Sequence, residues 1–230
     1  MMTKTLSLMG AVSLLAISTS VMAVPISVSF TGEIYTVGSG VSGSGVSVGD
    51  SVSGQFVYDI ATTDTNPSAD YGNYLAQSFS ISFGSGFSAN SLSTGVTVQN
   101  DQQNGSATLP ADGMIVRANS VVGDTLNGRS IEAYQFGLRK ENVAGQLWAD
   151  DALPDVSDWA GISLADINAP DWHWMQFDQL ASDESIFDSQ IRWDITSIDV
   201  VARGVPEPAS VALLGLGLVG LGFARKRNQR

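Results

Sequence analysis

Residues 78–83 read Ser-Phe-Ser-Ile-Ser-Phe. Phe79, Ile81 and Phe83 fall on one parity and Ser78, Ser80 and Ser82 on the other, so an extended chain here has one apolar face and one hydroxyl face. Working outward, Val52, Phe56 and Tyr58 alternate with Ser51, Ser53 and Gln55, and Val28, Phe30 and Ile34 with Ser29, Thr31 and Glu33. Leu92, Val96 and Val98 continue the pattern, and further strand candidates are Met114–Ala118, Ile131–Leu138 and Gln190–Ala202. In the last of these, Ile191, Trp193 and Ile195 share a face while Ile198 and Val200 fall on the other, a phase switch that predicts a bulge or two buried faces. Gly/Ser/Asn/Asp clusters at 38–49, 64–73 and 100–106 punctuate the strands as turns. Seven or more short, half-buried antiparallel strands predict an all-β fold, an antiparallel β-sandwich or jelly roll. No fixed-period repeat supports a solenoid.

The two ends of the chain differ from this middle. Residues 1–23 carry one basic residue, Lys4, then an apolar small-residue run from Leu6 to Ile17, and end in Val21-Met22-Ala23 before Pro25. That layout predicts a secretory signal helix cut by signal peptidase between Ala23 and Val24. At the other end, Pro206-Glu207-Pro208 makes a stiff, exposed junction. An apolar segment follows from Ala209 to Ala224, then Arg225, Lys226 and Arg227. The segment is a little shorter than the ~20 residues that comfortably span a bilayer, and its order predicts a single transmembrane helix with the basic end in the cytoplasm. Three parts are therefore expected: a signal peptide at 1–23, an exported domain at 24–204, and a tail at 205–230.

The order Pro-Glu-Pro, apolar helix, basic end resembles the PEP-CTERM tail of exported Gram-negative proteins. That resemblance covers residues 205–230. It implies processing by an exosortase-type enzyme, with Pro206, Glu207 and Pro208 as the sorting motif, Val211–Phe223 as a transient inner-membrane segment and Arg225–Arg227 as the retention signal. It further implies delivery to the cell surface or extracellular matrix, in association with exopolysaccharide or biofilm. A weaker similarity to the opening strands of such proteins lies in Phe30–Ile34 and Val48–Asp59, and it identifies no chemistry.

The full chain carries a formal net charge of -12 and no cysteine. Segment 24–204 holds every acidic residue except Glu207 and only six basic ones, Arg117, Arg129, Arg139, Lys140, Arg192 and Arg203, for about -16. Such a field opposes a nucleic-acid partner, and the absence of thiols removes redox and thiol chemistry.

The sole histidine, His173, lies between Trp172 and Trp174. No serine sits in a Gly-x-Ser-x-Gly turn leading from strand to helix, and one histidine without cysteine cannot assemble the usual zinc sets, so His173 is read as partly exposed and non-catalytic, with no catalytic set and no metal assigned. Region 149–189 is dense in Asp and holds Trp159, Trp172 and Trp174 but no Lys or Arg. It reads as a long loop or a helical cap, with short helices near 163–168 and 183–187. Trp148, Trp159, Trp172 and Trp174 are candidate stacking faces for carbohydrate, against the alternative that they fill the core, where Trp193 is placed by its strand phase. Paired carboxylates among Asp155, Asp158, Asp171 and Asp178 carry the competing reading, a secreted polysaccharide hydrolase. Calcium is a weak cofactor candidate: Asp59, Asp64 and Asn66, or Asp150, Asp151, Asp155 and Asp158, could supply oxygens, but neither group has EF-hand spacing and solvated turns are preferred. The expected function is a non-catalytic surface or matrix protein.

Overall fold

The structure, a computed structural model, describes residues 24–68, 70–102, 111–141, 147–167, 172–179 and 185–203. Strands run β1 Pro25–Val37, β2 Ser51–Asp59, β3 Tyr71–Ala76, β4 Ser78–Phe83, β5 Ser88–Gln102, β6 Ala111–Gly123 and β7 Ile131–Glu141. Two single-turn helices follow, α1 Val156–Trp159 and α2 Leu164–Ile167, then β8 Trp174–Phe177, a 3-10 turn Ile186–Ser189, and β9 Gln190–Ala202.

β3 and β4 are two halves of one bent strand. Both pair antiparallel with β5 in a single register, Ala76 opposite Thr94 and Ser80 opposite Asn90. The break falls at Gln77, whose N–H turns aside to the Val57 carbonyl at 2.8 Å. Counted so, eight strands form a closed ring in which each pairs antiparallel with the next in sequence, and β9 returns to β1. The fold is an up-and-down β-barrel.

This corrects the sandwich or jelly roll expected from sequence. Alternation only says that each strand has a wet and a dry face, which holds equally for two stacked sheets and for one closed sheet. The decision lies in the seam between β1 and β9, which joins Ile26 to Ala202 and Val37 to Ile191 across nearly the whole domain. The phase switch in β9 is a bulge at that seam: Thr31 opposes Ser197 and Gly32 opposes Ile195, leaving Thr196 unmatched. The signal and transmembrane helices of that expectation fall on 1–23 and 209–224, outside the described residues. Among the described residues no helix is long and apolar enough to cross a membrane.

The lumen is packed with rings. Phe30 and Phe56 each lie 5.1 Å from Phe136, and Phe79 meets Tyr134 at 4.6 Å. Gly54 makes this filling possible: it faces inward between Val52 and Phe56, and a Cβ there would stand 2.2 Å from the Phe30 ring. Segment 147–167 covers the end of the barrel where β1 begins and β9 finishes, burying Trp148, Leu153, Trp159 and Ile167. It is fastened by polar contacts from the rim: Tyr58 Oη donates to Pro154 O at 2.7 Å, Trp159 Nε1 to Tyr58 Oη at 2.7 Å, and Tyr74 Oη to Asp151 O at 2.8 Å. Fully buried Asp112 accepts the N–H groups of Leu147 (2.6 Å), Asp101 (2.9 Å) and Trp148 (3.4 Å). Val41, Val46, Phe87 and Leu126, from the connections at the opposite end, close that pole.

Candidate functional site

Because strand side chains alternate, each inward ring of β6–β9 leaves an outward neighbour on the barrel wall. Cross-strand register aligns four of these into one row, Arg117 on β6, Gln135 on β7, Trp174 on β8 and Arg192 on β9. The adjoining row holds Ala133, Gln176 and Gln190. From these rows Arg117, Trp174, Ala133, Gln176 and Gln190, together with Asn119, Glu132, Gln179 and Ile186, line a surface groove of about 490 Å³.

Its floor is an amide relay. Arg192 donates through Nε and Nη2 to Gln190 Oε1 (3.1 and 2.8 Å), Gln190 Nε2 donates to Gln176 Oε1 (2.8 Å), and Gln176 Nε2 donates to Ser189 Oγ (2.5 Å). Ser189 Oγ in turn donates to Ile186 O at 3.1 Å, so the 3-10 turn is tied to the floor. Its wall is aromatic and cationic: the Arg117 guanidinium lies 5.0 Å from the centre of the half-buried Trp174 ring, and that of Arg192 lies 4.6 Å from the Phe187 ring. Beside them Trp172 lies on the outer wall with Arg139 at 5.9 Å. A glycine is required beneath it, since a Cβ at Gly137 would sit 2.6 Å from Trp172 Cε3.

The four tryptophans proposed as sugar platforms thus separate into two pairs. Trp148 and Trp159, at 4% and 5% exposure, meet edge to face at 6.3 Å inside the end cap, and their faces are closed to ligand. Trp172 and Trp174 lie on the outer wall, half-buried. Trp193 is fully buried in the lumen, as its phase predicts. His173 differs from its expected partial exposure: at 2% it points inward, 5.2 Å from Phe136 and 6.5 Å from Trp193. Desolvation pushes it down to about 4, against the weaker opposing effect of hydrogen bonds that the imidazole donates to the Gly137 and Trp193 backbone. The reason is parity: with Trp172 and Trp174 both outward, the residue between them must point in.

Five of the seven described acidic residues of 149–189 accept from nearby backbone N–H groups. Asp155 is the N-cap of α1, accepting from Ser157 N (2.6 Å) and Asp158 N (3.1 Å), while Asp158 accepts from Asp155 N (2.7 Å). The Ser157 hydroxyl, then backbone N–H groups, hold the Asp155 carboxyl below its ordinary range. Asp150, Asp166 and Asp188 accept from Ala152 N, Ser163 N and Ser185 N in the same manner. Asp178 is exposed, and Asp171 lies outside the described residues. Of the calcium candidates, Asp59 accepts from Ala61 N and Asp64 from Asn66 N and Asn73 N, which are turn contacts. Among the described residues no three His, Asp or Glu side chains group into a metal site. Ala23, Pro206, Glu207, Pro208, Arg225, Lys226 and Arg227 lie outside the described residues.

Sequence reasoning missed Arg117, Arg139, Gln176 and Gln190. The outward parity of Arg117 and Arg139 was visible in their strands, but their alignment with Trp174 and Trp172 depends on register across β6, β7 and β8.

Fold and site together define a class: an up-and-down β-barrel with a packed lumen and a polar, aromatic groove on its flank. No curated protein and no solved structure matches the chain. Residues 204–227 match the PEP-CTERM protein-sorting motif, so the chain carries that motif at its C-terminal end. The motif implies export, sorting to the cell surface and an exosortase as the processing partner.

Proposed function

We propose that this is a non-catalytic protein of the cell surface or extracellular matrix that binds extracellular polysaccharide through the groove beside Trp174. The observation that carries the reading is the groove itself: an indole face set over a floor of buried, mutually oriented amides. Sugars offer apolar C–H faces and a rim of hydroxyls, and an aromatic ring with nearby amides answers both. Gln176 and Gln190 are held by each other, by Ser189 and by Arg192, so their positions are set before ligand arrives. The sorting motif would deliver such a barrel to the cell surface, where extracellular polysaccharide is within reach.

The non-catalytic part of the reading draws support from the carboxylates. A glycosidase acid needs a raised pKa, whereas Asp155 is lowered and its oxygens serve backbone N–H groups. The test is co-sedimentation of the full chain with exopolysaccharide from the producing cells, alongside an assay for released reducing ends. Binding without release, lost in Trp174→Ala, is the expected result. Release of reducing ends that a single substitution at Asp155, Asp158 or Asp178 abolishes would overturn it.

A further inference from the structure

The wall at and beside the groove carries more positive charge than a neutral sugar needs, with Arg117 lining the groove and Arg139 over Trp172 next to it. Of the six basic residues between 24 and 204, four are on β6, β7 and β9: Arg117, Arg139, Lys140 and Arg192. In a segment of about -16, basic side chains placed at random would meet carboxylates. Among the described residues neither Arg117 nor Arg139 forms an ion pair, and the Arg139 Nε is buried with no hydrogen-bond partner. Among the described residues Glu132 is the only acidic side chain lining the groove, and it too makes no ion pair there. An exposed guanidinium on an indole gains only about 0.5–1 kcal/mol, so structural need alone does not explain the cluster.

The arrangement is also duplicated. Trp172 and Trp174 are two residues apart, roughly 6.6 Å along an extended chain, and each is covered by its own guanidinium, Arg139 and Arg117. A guanidinium presents N–H groups in a fork that matches a carboxylate, which an amide cannot do with charge. Two such ring-and-cation pairs side by side suit a chain that repeats both a sugar face and a negative group.

We infer that the groove takes a carboxylate-bearing polysaccharide, a uronic-acid polymer, with Arg117 swinging from the Trp174 face onto a sugar carboxylate and Arg139 meeting a neighbouring one. The inference rests on the polysaccharide reading above and narrows it to one chemical class. Arg117 is exposed and on a flexible stem, so the movement needs no change in the barrel.

The experiment measures binding of the full chain to exopolysaccharide from the producing cells before and after its carboxyl groups are chemically reduced to alcohols. Polygalacturonate and its carboxyl-reduced form are run in parallel. Reduction is expected to weaken binding at least tenfold, added salt to weaken binding of the unreduced polymers only, and Arg117→Gln to lose about tenfold, the scale of one charge-assisted contact. Arg117→Lys should retain part of the affinity, and both variants should melt with the parent protein. Equal binding before and after reduction would overturn the inference and leave the polysaccharide reading standing. Failure to hold either form of the cells' own polymer would remove that reading as well.

Discussion

Lowering the pH from 7 to 4.5 should destabilise the barrel through His173. In the unfolded chain this imidazole takes a proton near 6.5, whereas in the folded barrel it does so only at about 4. Between those values the unfolded state binds more protons, so stability is full above 6.5, falls as the pH drops, and levels off below about 4. A shift of this size, at 1.36 kcal/mol per unit, amounts to about 3 kcal/mol, of which roughly 2 kcal/mol is already lost at pH 5. No solvent discount applies, because the ring is 2% exposed and packed between Phe136 and Trp193. The assay is urea denaturation of the parent protein and His173→Gln at half-unit steps from pH 7.5 to 4. Carboxylates titrate in both proteins and cancel in the difference. The parent should lose about 2 kcal/mol more than the variant between pH 7 and 5. Parallel curves would mean that the imidazole is hydrated or charged in the folded state, and the inward placement would be refuted.

Other substitutions test the remaining structure. Asp112→Ala leaves the Leu147 and Trp148 N–H groups without their acceptor at the barrel rim, and should cost about 3 kcal/mol in urea denaturation, with Asp112→Asn intermediate. Trp159→Ala should cost about 3–5 kcal/mol by opening the end cap, whereas Trp174→Ala should remove polymer binding with a much smaller change in melting temperature. Gly54→Ala places a methyl group on the Phe30 ring and should cost about 1–3 kcal/mol in a thermal melt, although the same change at Gly95, a half-buried strand glycine where a Cβ would meet open space, should be tolerated.

The strands were legible because alternation is a local property. Phe79, Ile81 and Phe83 name their own dry face, and the structure buries all three. The bulge in β9 was legible for the same reason, as a change of parity between Ile195 and Ile198. Closure into a barrel was not, because it depends on which strand lies beside β1, and nothing within β1 records that its partner begins at Gln190. The candidate site divides along the same line. Trp172 and Trp174 could be singled out by type, but their separation from Trp148 and Trp159 required knowing which wall each segment covers. The run of Asp in 149–189 could not be assigned roles from composition, because composition does not show direction: each carboxylate that caps a turn points at a backbone N–H two or three residues away.

The seam between β1 and β9 also settles how the barrel would carry load. Arg203 N–H donates to the Pro25 carbonyl at 2.8 Å, so the chain enters and leaves at one pole, beside the end cap. Suppose the protein is gripped by its C-terminal tail while its flank holds a polymer. Tension then enters at the last residue of β9 and runs along that strand. Strand hydrogen bonds lie across this direction, so the pull shears the bonds of thirteen residues together, with β1 on one side and β8 on the other, rather than opening them singly like a zip. A barrel loaded in this way would give way only when many strand bonds fail together.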